Sequence, residues 1–168
     1  MQVRILSEVT TEELTELKLK RIYKPIELHY GMILRAERIA KKIYLEQIKI
    51  ELKQRGVNKT QCTIARWERN FSSPTIEVIA IWASCLNLKM SIFIDSADYQ
   101  LVRGDWLQKL KSLRKDRGIV RERINKAIGV DPWMITLWEK GLKAPTESQL
   151  KDWAIAIGAT ARLVFERA

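Results

Sequence analysis

The same short pattern, tryptophan and glutamate followed by proline and threonine, occurs twice in this chain, as WERNFSSPT at 67–75 and as WEKGLKAPT at 138–146. Laid against itself with an offset of 71 residues, the sequence pairs Trp67 with Trp138, Glu68 with Glu139, Pro74 with Pro145, Thr75 with Thr146, Trp82 with Trp153 and Ala83 with Ala154. Arg69 meets Lys140 in the same alignment. Chance supplies roughly two identities over such a window and tryptophan is scarce, so the coincidence marks duplicated architecture. Apolar periodicity agrees. Ile76, Ile79, Ala80 and Ala83 form one helical face after Pro74, and Leu150, Trp153, Ala154 and Ile157 do so after Pro145. Each copy closes on a short β-prone run, SIFI at 91–94 and RLVF at 162–165, which, with QVRIL at 2–6, can pair within the chain or across a dimer.

The second copy predicts helices over 105–117, 121–128 and 132–140 and a fourth from Pro145, with breaks at Gly118, Gly129 and Gly141. Asp131 before Pro132 is a start signal, because a carboxylate accepts free amides at a helix end and proline suits the first helical position. The first copy predicts helices over 31–43, 45–54, 60–69 and 74–87, with roughly five more residues between its second and third helices and a weaker turn, RGVNK. Residues 1–30 lie outside the repeat and predict a strand over 2–6 and a helix over 11–23, where Thr10 and Glu13 resemble a capping box and Pro25 ends the element. About ten residues around DSADYQLVRG join the copies, with no glycine-rich or low-complexity linker, so the units should pack together. The expected fold class is all-α. It consists of an extension at 1–30, a first four-helix domain at 31–95 and a second at 103–168, each followed by a short strand.

Charge is concentrated. Of the formal +10, residues 35–69 hold 10 basic against 4 acidic side chains and residues 103–126 hold 9 against 3, while residues 1–34 and 127–168 each balance at 5 and 5. Two basic blocks suit the phosphate backbone of a nucleic acid, where each neutralised phosphate releases counterions, although a solvated helical face has the same composition. No stretch reaches the ~18 to 20 apolar residues of a membrane span, and MQVRILSEVTTEEL lacks the order of a signal peptide, so a cytoplasmic, nucleoid-associated protein is expected. Cys62 and Cys85 match no zinc spacing and His29 is the single histidine, so buried apolar cysteine is the preferred reading and no metal or cofactor is expected. With no Ser-His-acid set and no phosphate loop, an enzyme is not expected.

The segment LRKDRGIVRERINKAIGVDPWMITLWEKGLKAPTESQLKDWAIAIGA resembles a lambda-repressor-like (XRE, Cro-type) helix-turn-helix domain along its length. It carries an LR near the end of helix one, a glycine before helix two, a GV turn, a W-E-x-G string by the recognition helix and a proline opening helix four. The first copy keeps W-E, the basic residue and the proline but has Asn70 where glycine is usual. The resemblance implies a tandem DNA-binding transcriptional regulator whose third helices enter the major groove, braced by the second helices. Ile135 and Trp138, with Ile64 and Trp67 as counterparts, supply the inward face of that brace and read as core. It further implies that Glu139 pairs with Arg114 and Glu68 with Arg38.

Base-reading positions by the same resemblance are Gln61, Cys62 and Arg66 in the first copy, where glutamine can pair with adenine and arginine with guanine. In the second they are Pro132, Trp133, Thr136 and Leu137, which offer methyl contacts at best. Trp133 has three readings: a thymine-methyl contact, a protein interface, or a return into the core. Phosphate candidates are Lys41, Lys42, Lys59 and Arg69 in the first copy and Arg121, Arg123, Lys140 and Lys143 in the second. Expected partners are double-stranded DNA and a second copy of the chain. The competing function is an antitoxin-like interaction protein that binds a partner protein through Trp133 and its neighbours and autoregulates its operon.

Overall fold

A computed structural model describes residues 29–95, 97–100 and 105–168, and the predicted strand over 2–6 and helix over 11–23 fall outside them. The described residues form, in order, α1 (Tyr30–Ala40), α2 (Leu45–Gln54), α3 (Gln61–Glu68), α4 (Ile76–Cys85), β1 (Leu88–Ile94), β2 (Ala97–Gln100), α5 (Asp105–Asp116), α6 (Arg121–Ile128), α7 (Met134–Glu139), α8 (Glu147–Ala156) and β3 (Ala161–Arg167).

The all-α expectation is overturned by a three-stranded antiparallel sheet, ordered β2-β1-β3, one face of which packs against residues of both groups of four helices. The β-prone runs are longer than SIFI and RLVF and pair with each other across the whole chain, Leu88 opposite Arg167 through Ile94 opposite Ala161. Every second residue of β1 is apolar, so Leu88, Met90, Ile92 and Ile94 turn one buried face to the helices. Part of the supposed connector, Ala97–Gln100, folds back along β1 as the third strand. Asp95 makes this possible by taking a left-handed φ of 48° and accepting the Thr160 amide at 2.9 Å.

Two apolar cores result. The first gathers Tyr30, Leu34, Ile48, Leu52, Ile64, Trp67, Ile79 and Trp82, and the second Trp106, Leu110, Ile124, Ile135, Trp138, Leu150, Trp153 and Ile157. Repeat-equivalent tryptophans meet in each, Trp67 with Trp82 at 6.0 Å between ring centres and Trp138 with Trp153 at 5.6 Å. Rings at that spacing add to area burial, and losing one to alanine costs roughly 3–5 kcal/mol. In the first core α1 lies against α3 at Gly31, where a Cβ would stand 2.3 Å from the Trp67 carbonyl oxygen. Only glycine permits that approach.

The turns between second and third helices are alike, which corrects the expectation of an irregular first turn. Gly56 (φ 84°) and Gly129 (φ 72°) are left-handed, and the next residues close the same wide loop, Val57 N–H to Leu52 O at 2.8 Å and Val130 N–H to Asn125 O at 3.1 Å. The extra length of the first copy is spread out: α2 has 10 residues against 8 in α6, and α3 has 8 against 6 in α7. Asp131 and Pro132 do not open a helix over 132–140. Asp131 accepts Trp133 N–H on its carboxylate and Met134 N–H on its carbonyl, both at 2.9 Å, which winds a single tight turn before α7 begins at Met134.

Candidate nucleic-acid interface

The third helix of each half is amphipathic in the way a braced surface helix must be. Thr60 caps α3 by accepting Thr63 N–H at 3.2 Å, and Ile64, Trp67 and Glu68 are buried while Gln61, Cys62 and Arg66 are exposed. In α7 Ile135, Trp138 and Glu139 are buried, Thr136 and Leu137 are half-buried, and Pro132 and Trp133 are exposed just ahead of it. Trp133 is 71% exposed, which removes its reading as core. Cys62 is likewise exposed and only Cys85 is buried, so the buried-cysteine reading fails at Cys62, whose place in the first turn of α3 faces outward.

The structure brings Arg38 to Glu68 and Arg114 to Glu139. Arg38 donates from Nε and Nη2 to the two carboxylate oxygens at 2.7 and 2.9 Å, and Arg114 does so at 2.5 and 3.2 Å. The third donor of each arginine goes to a backbone carbonyl in the turn before the second helix, Arg38 Nη1 to Ile43 O at 2.9 Å and Arg114 Nη1 to Ile119 O at 3.0 Å. One planar guanidinium thus fixes first helix, following turn and third helix together, which a lysine could not do. The sequence resemblance pointed to the carboxylate but not to the carbonyl.

Past the third helices the chains close alike. Asn70 (φ 60°) and Gly141 (φ 68°) are both left-handed, and the following amides reach back, Phe71 N–H to Arg66 O at 2.8 Å and Leu142 N–H to Leu137 O at 2.9 Å. Asparagine tolerates this conformation better than other side-chain-bearing residues, so Asn70 fills the glycine position without changing the turn.

Two of the eight phosphate candidates are already engaged. Lys41 pairs with Glu37 at 3.2 Å and bonds the Leu86 carbonyl, and Arg121 bonds Glu139 with Nε and Nη2 at 2.8 and 2.7 Å. Glu37 stands one helical turn before Lys41, a spacing legible in the sequence, whereas the meeting of Arg121 with Glu139 depends on tertiary placement. Lys42, Lys59, Arg69, Arg123, Lys140 and Lys143 are exposed and have no ion-pair partner among the described residues. A shallow groove of about 490 Å³ opens at the N-terminal end of α3, lined by Glu46, Lys49, Asn58, Lys59, Thr60, Gln61 and Cys62. Gln61 spends its amide on Glu46 there, whereas Cys62 and Arg66 have no side-chain partner among the described residues.

No helix among the described residues is long and apolar enough to cross a membrane, and no cluster of three His, Cys, Asp or Glu among them could hold a metal. Compared with protein-family models, curated proteins and solved structures, the chain matches none.

Proposed function

We propose that this protein binds duplex DNA sequence-specifically and regulates transcription, with α3 as its reading helix. The observation that carries the reading is the make-up of α3: a face locked into the core by Ile64 and Trp67 and clamped by Arg38 through Glu68, and an opposite face presenting Gln61, Cys62 and Arg66. A helix held this rigidly can offer side chains to base edges in the major groove at fixed spacing. Lys42, Lys59 and Arg69, exposed beside it, suit contacts to flanking phosphates. Arg66 has no carboxylate partner among the described residues, as suits a guanine-reading arginine before it meets the base.

Selection of bound duplexes from a random pool tests this, followed by titration of the recovered duplex with salt. A recovered motif whose affinity falls steeply as salt rises is expected, since six free cations would release about as many counterions. Failure to enrich any sequence, or a flat salt response, would refute it. A second reading, docking of a protein partner in the manner of an antitoxin, draws on the exposed Val120, Trp133 and Leu142 of the second half.

A further inference from the structure

Among the described residues, two contacts join a residue to its own counterpart in the repeat. Thr75 bridges Thr146 antiparallel in the loops that lead into α4 and α8, and Ile92 sits opposite Leu163 at the centre of the β1–β3 ladder. Both pairs are separated by 71 residues, the offset of the sequence repeat. In an antiparallel pairing a residue faces its own equivalent only where a local two-fold axis passes between the strands. Two such points, one in the sheet and one between the loops, place the two halves about a common pseudo-dyad.

The packing exchanges accordingly. Leu88 and Met90 at the start of β1 belong to the first core, but Ile92 and Ile94 at its end belong to the second. On β3 the order is reversed: Ala161 packs against the second core and Phe165, the counterpart of Ile94, against the first. Ile76 at the start of α4 is buried in the second core, and its counterpart Glu147 reaches the first half, 3.7 Å from His29. Each half therefore completes the other, as in a two-fold dimer, within one chain.

The third helices stand about this same axis. The segments from Arg69 to Pro74 and from Lys140 to Pro145 are of equal length and join the ends of α3 and α7 to the axial threonines. Six residues reach ~20 Å at most, and the threonines of an antiparallel pair lie ~5 Å apart. The helix ends thus fall within a separation that admits one duplex turn, ~34 Å. Duplex DNA has its own two-fold axes perpendicular to its length, so two arms related by a dyad meet equivalent backbone only on half-sites in inverted orientation.

We infer that a single chain, with no second copy, spans an inverted pair of half-sites one turn apart, reading sequence in the half beneath α3 and gripping the other through phosphates. This rests on the DNA-binding reading above. The division of labour follows from the reading side chains, Gln61, Cys62 and Arg66 on α3 against Pro132, Trp133, Thr136 and Leu137 at α7, while both halves keep exposed cations, Lys42, Lys59 and Arg69 in the first and Arg123, Lys140 and Lys143 in the second.

The test is hydroxyl-radical footprinting of the full chain on the duplex recovered from the random pool, with the mass of the complex measured alongside. Expected are one chain per duplex and backbone protection on both strands, related by a two-fold about one centre. Base preference should be confined to one side of that centre. Lys140→Glu combined with Lys143→Glu should erase the protection on the unread side and weaken binding at least tenfold while leaving the selected sequence unchanged. Protection in tandem orientation, protection of one half-site alone by the unaltered chain, or two chains per duplex would overturn the inference and leave DNA binding standing. Recovery of no duplex would remove the DNA-binding reading and this inference with it.

Discussion

Arg114 donates to both carboxylate oxygens of Glu139, Nε to Oε1 at 2.5 Å and Nη2 to Oε2 at 3.2 Å, in a setting where the glutamate side chain is 1% exposed and the arginine 9%. A pair so far from water gains little over an apolar alternative, but leaving one member alone costs about 3–5 kcal/mol. Glu139→Gln should therefore lower the unfolding free energy by roughly that amount, because Arg114 keeps its charge and loses its counter-ion. Arg121→Ala, which removes a partner 42% exposed, should cost no more than about 1 kcal/mol. Urea denaturation of both variants checks the ranking, and equal losses would show that the network is not centred on Arg114.

The repeat itself and the helix order were legible because they depend on local pattern, whereas the arginine–glutamate pairs, 30 and 25 residues apart, were expected only through the resemblance. The sheet was legible only in part. SIFI and RLVF announce strands, yet nothing in their composition says that they pair with each other across 71 residues instead of ending two separate bundles. The same holds for charge: Arg121 reads as a free cation until the fold brings Glu139 to it, whereas the pair of Lys41 with Glu37 is local to one helical turn. Asn70 looked like a departure from pattern, and its φ of 60° shows that the backbone, not the residue type, is what the turn requires.

His29 gives the fold a pH dependence. Its Nδ1 accepts Gly31 N–H at 3.1 Å as the cap of α1, a role that needs an unprotonated nitrogen, and burial lowers its pKa from the usual 6.5 even though Glu147 pulls upward. Lys151, paired with Glu147 at 3.2 Å, adds to the lowering. The unfolded chain thus binds the proton more readily than the folded one. Stability should be full above the ordinary imidazole range and decline as pH falls below it, until the lowered folded pKa is passed. His29→Asn retains a capping acceptor without titrating. Its unfolding midpoint should lose the decline that sets in as pH falls below 6.5, and an unchanged pH profile would assign it elsewhere.

Ile76 belongs to α4 by chain and to the second core by packing, fully buried among residues of the other half. Ile76→Ala should cost about 2–5 kcal/mol. Because the halves exchange residues across the shared face of the sheet, unfolding should remain one transition. Hydrogen exchange should quicken in α8 as much as in α4. Acceleration limited to α1–α4 would mean that the second half holds itself together without its neighbour.

Arg66 and Trp133 occupy the outward sides of the two third-helix regions, and both are exposed, but they differ in what they can do at a base edge. A guanidinium can donate twice to guanine, a discrimination of about 1–3 kcal/mol, whereas an indole offers apolar contact and one donor. Arg66→Ala should therefore relax sequence preference at one position by roughly five- to 150-fold while leaving non-specific affinity nearly intact. Gln61→Ala should have a smaller effect, since the Gln61 amide already bonds Glu46 and must leave it to reach DNA. Trp133→Ala should leave preference unchanged. Competition binding with single-base variants of the recovered site measures all three, and a larger loss of preference at Trp133 than at Arg66 would transfer the reading role to the second half.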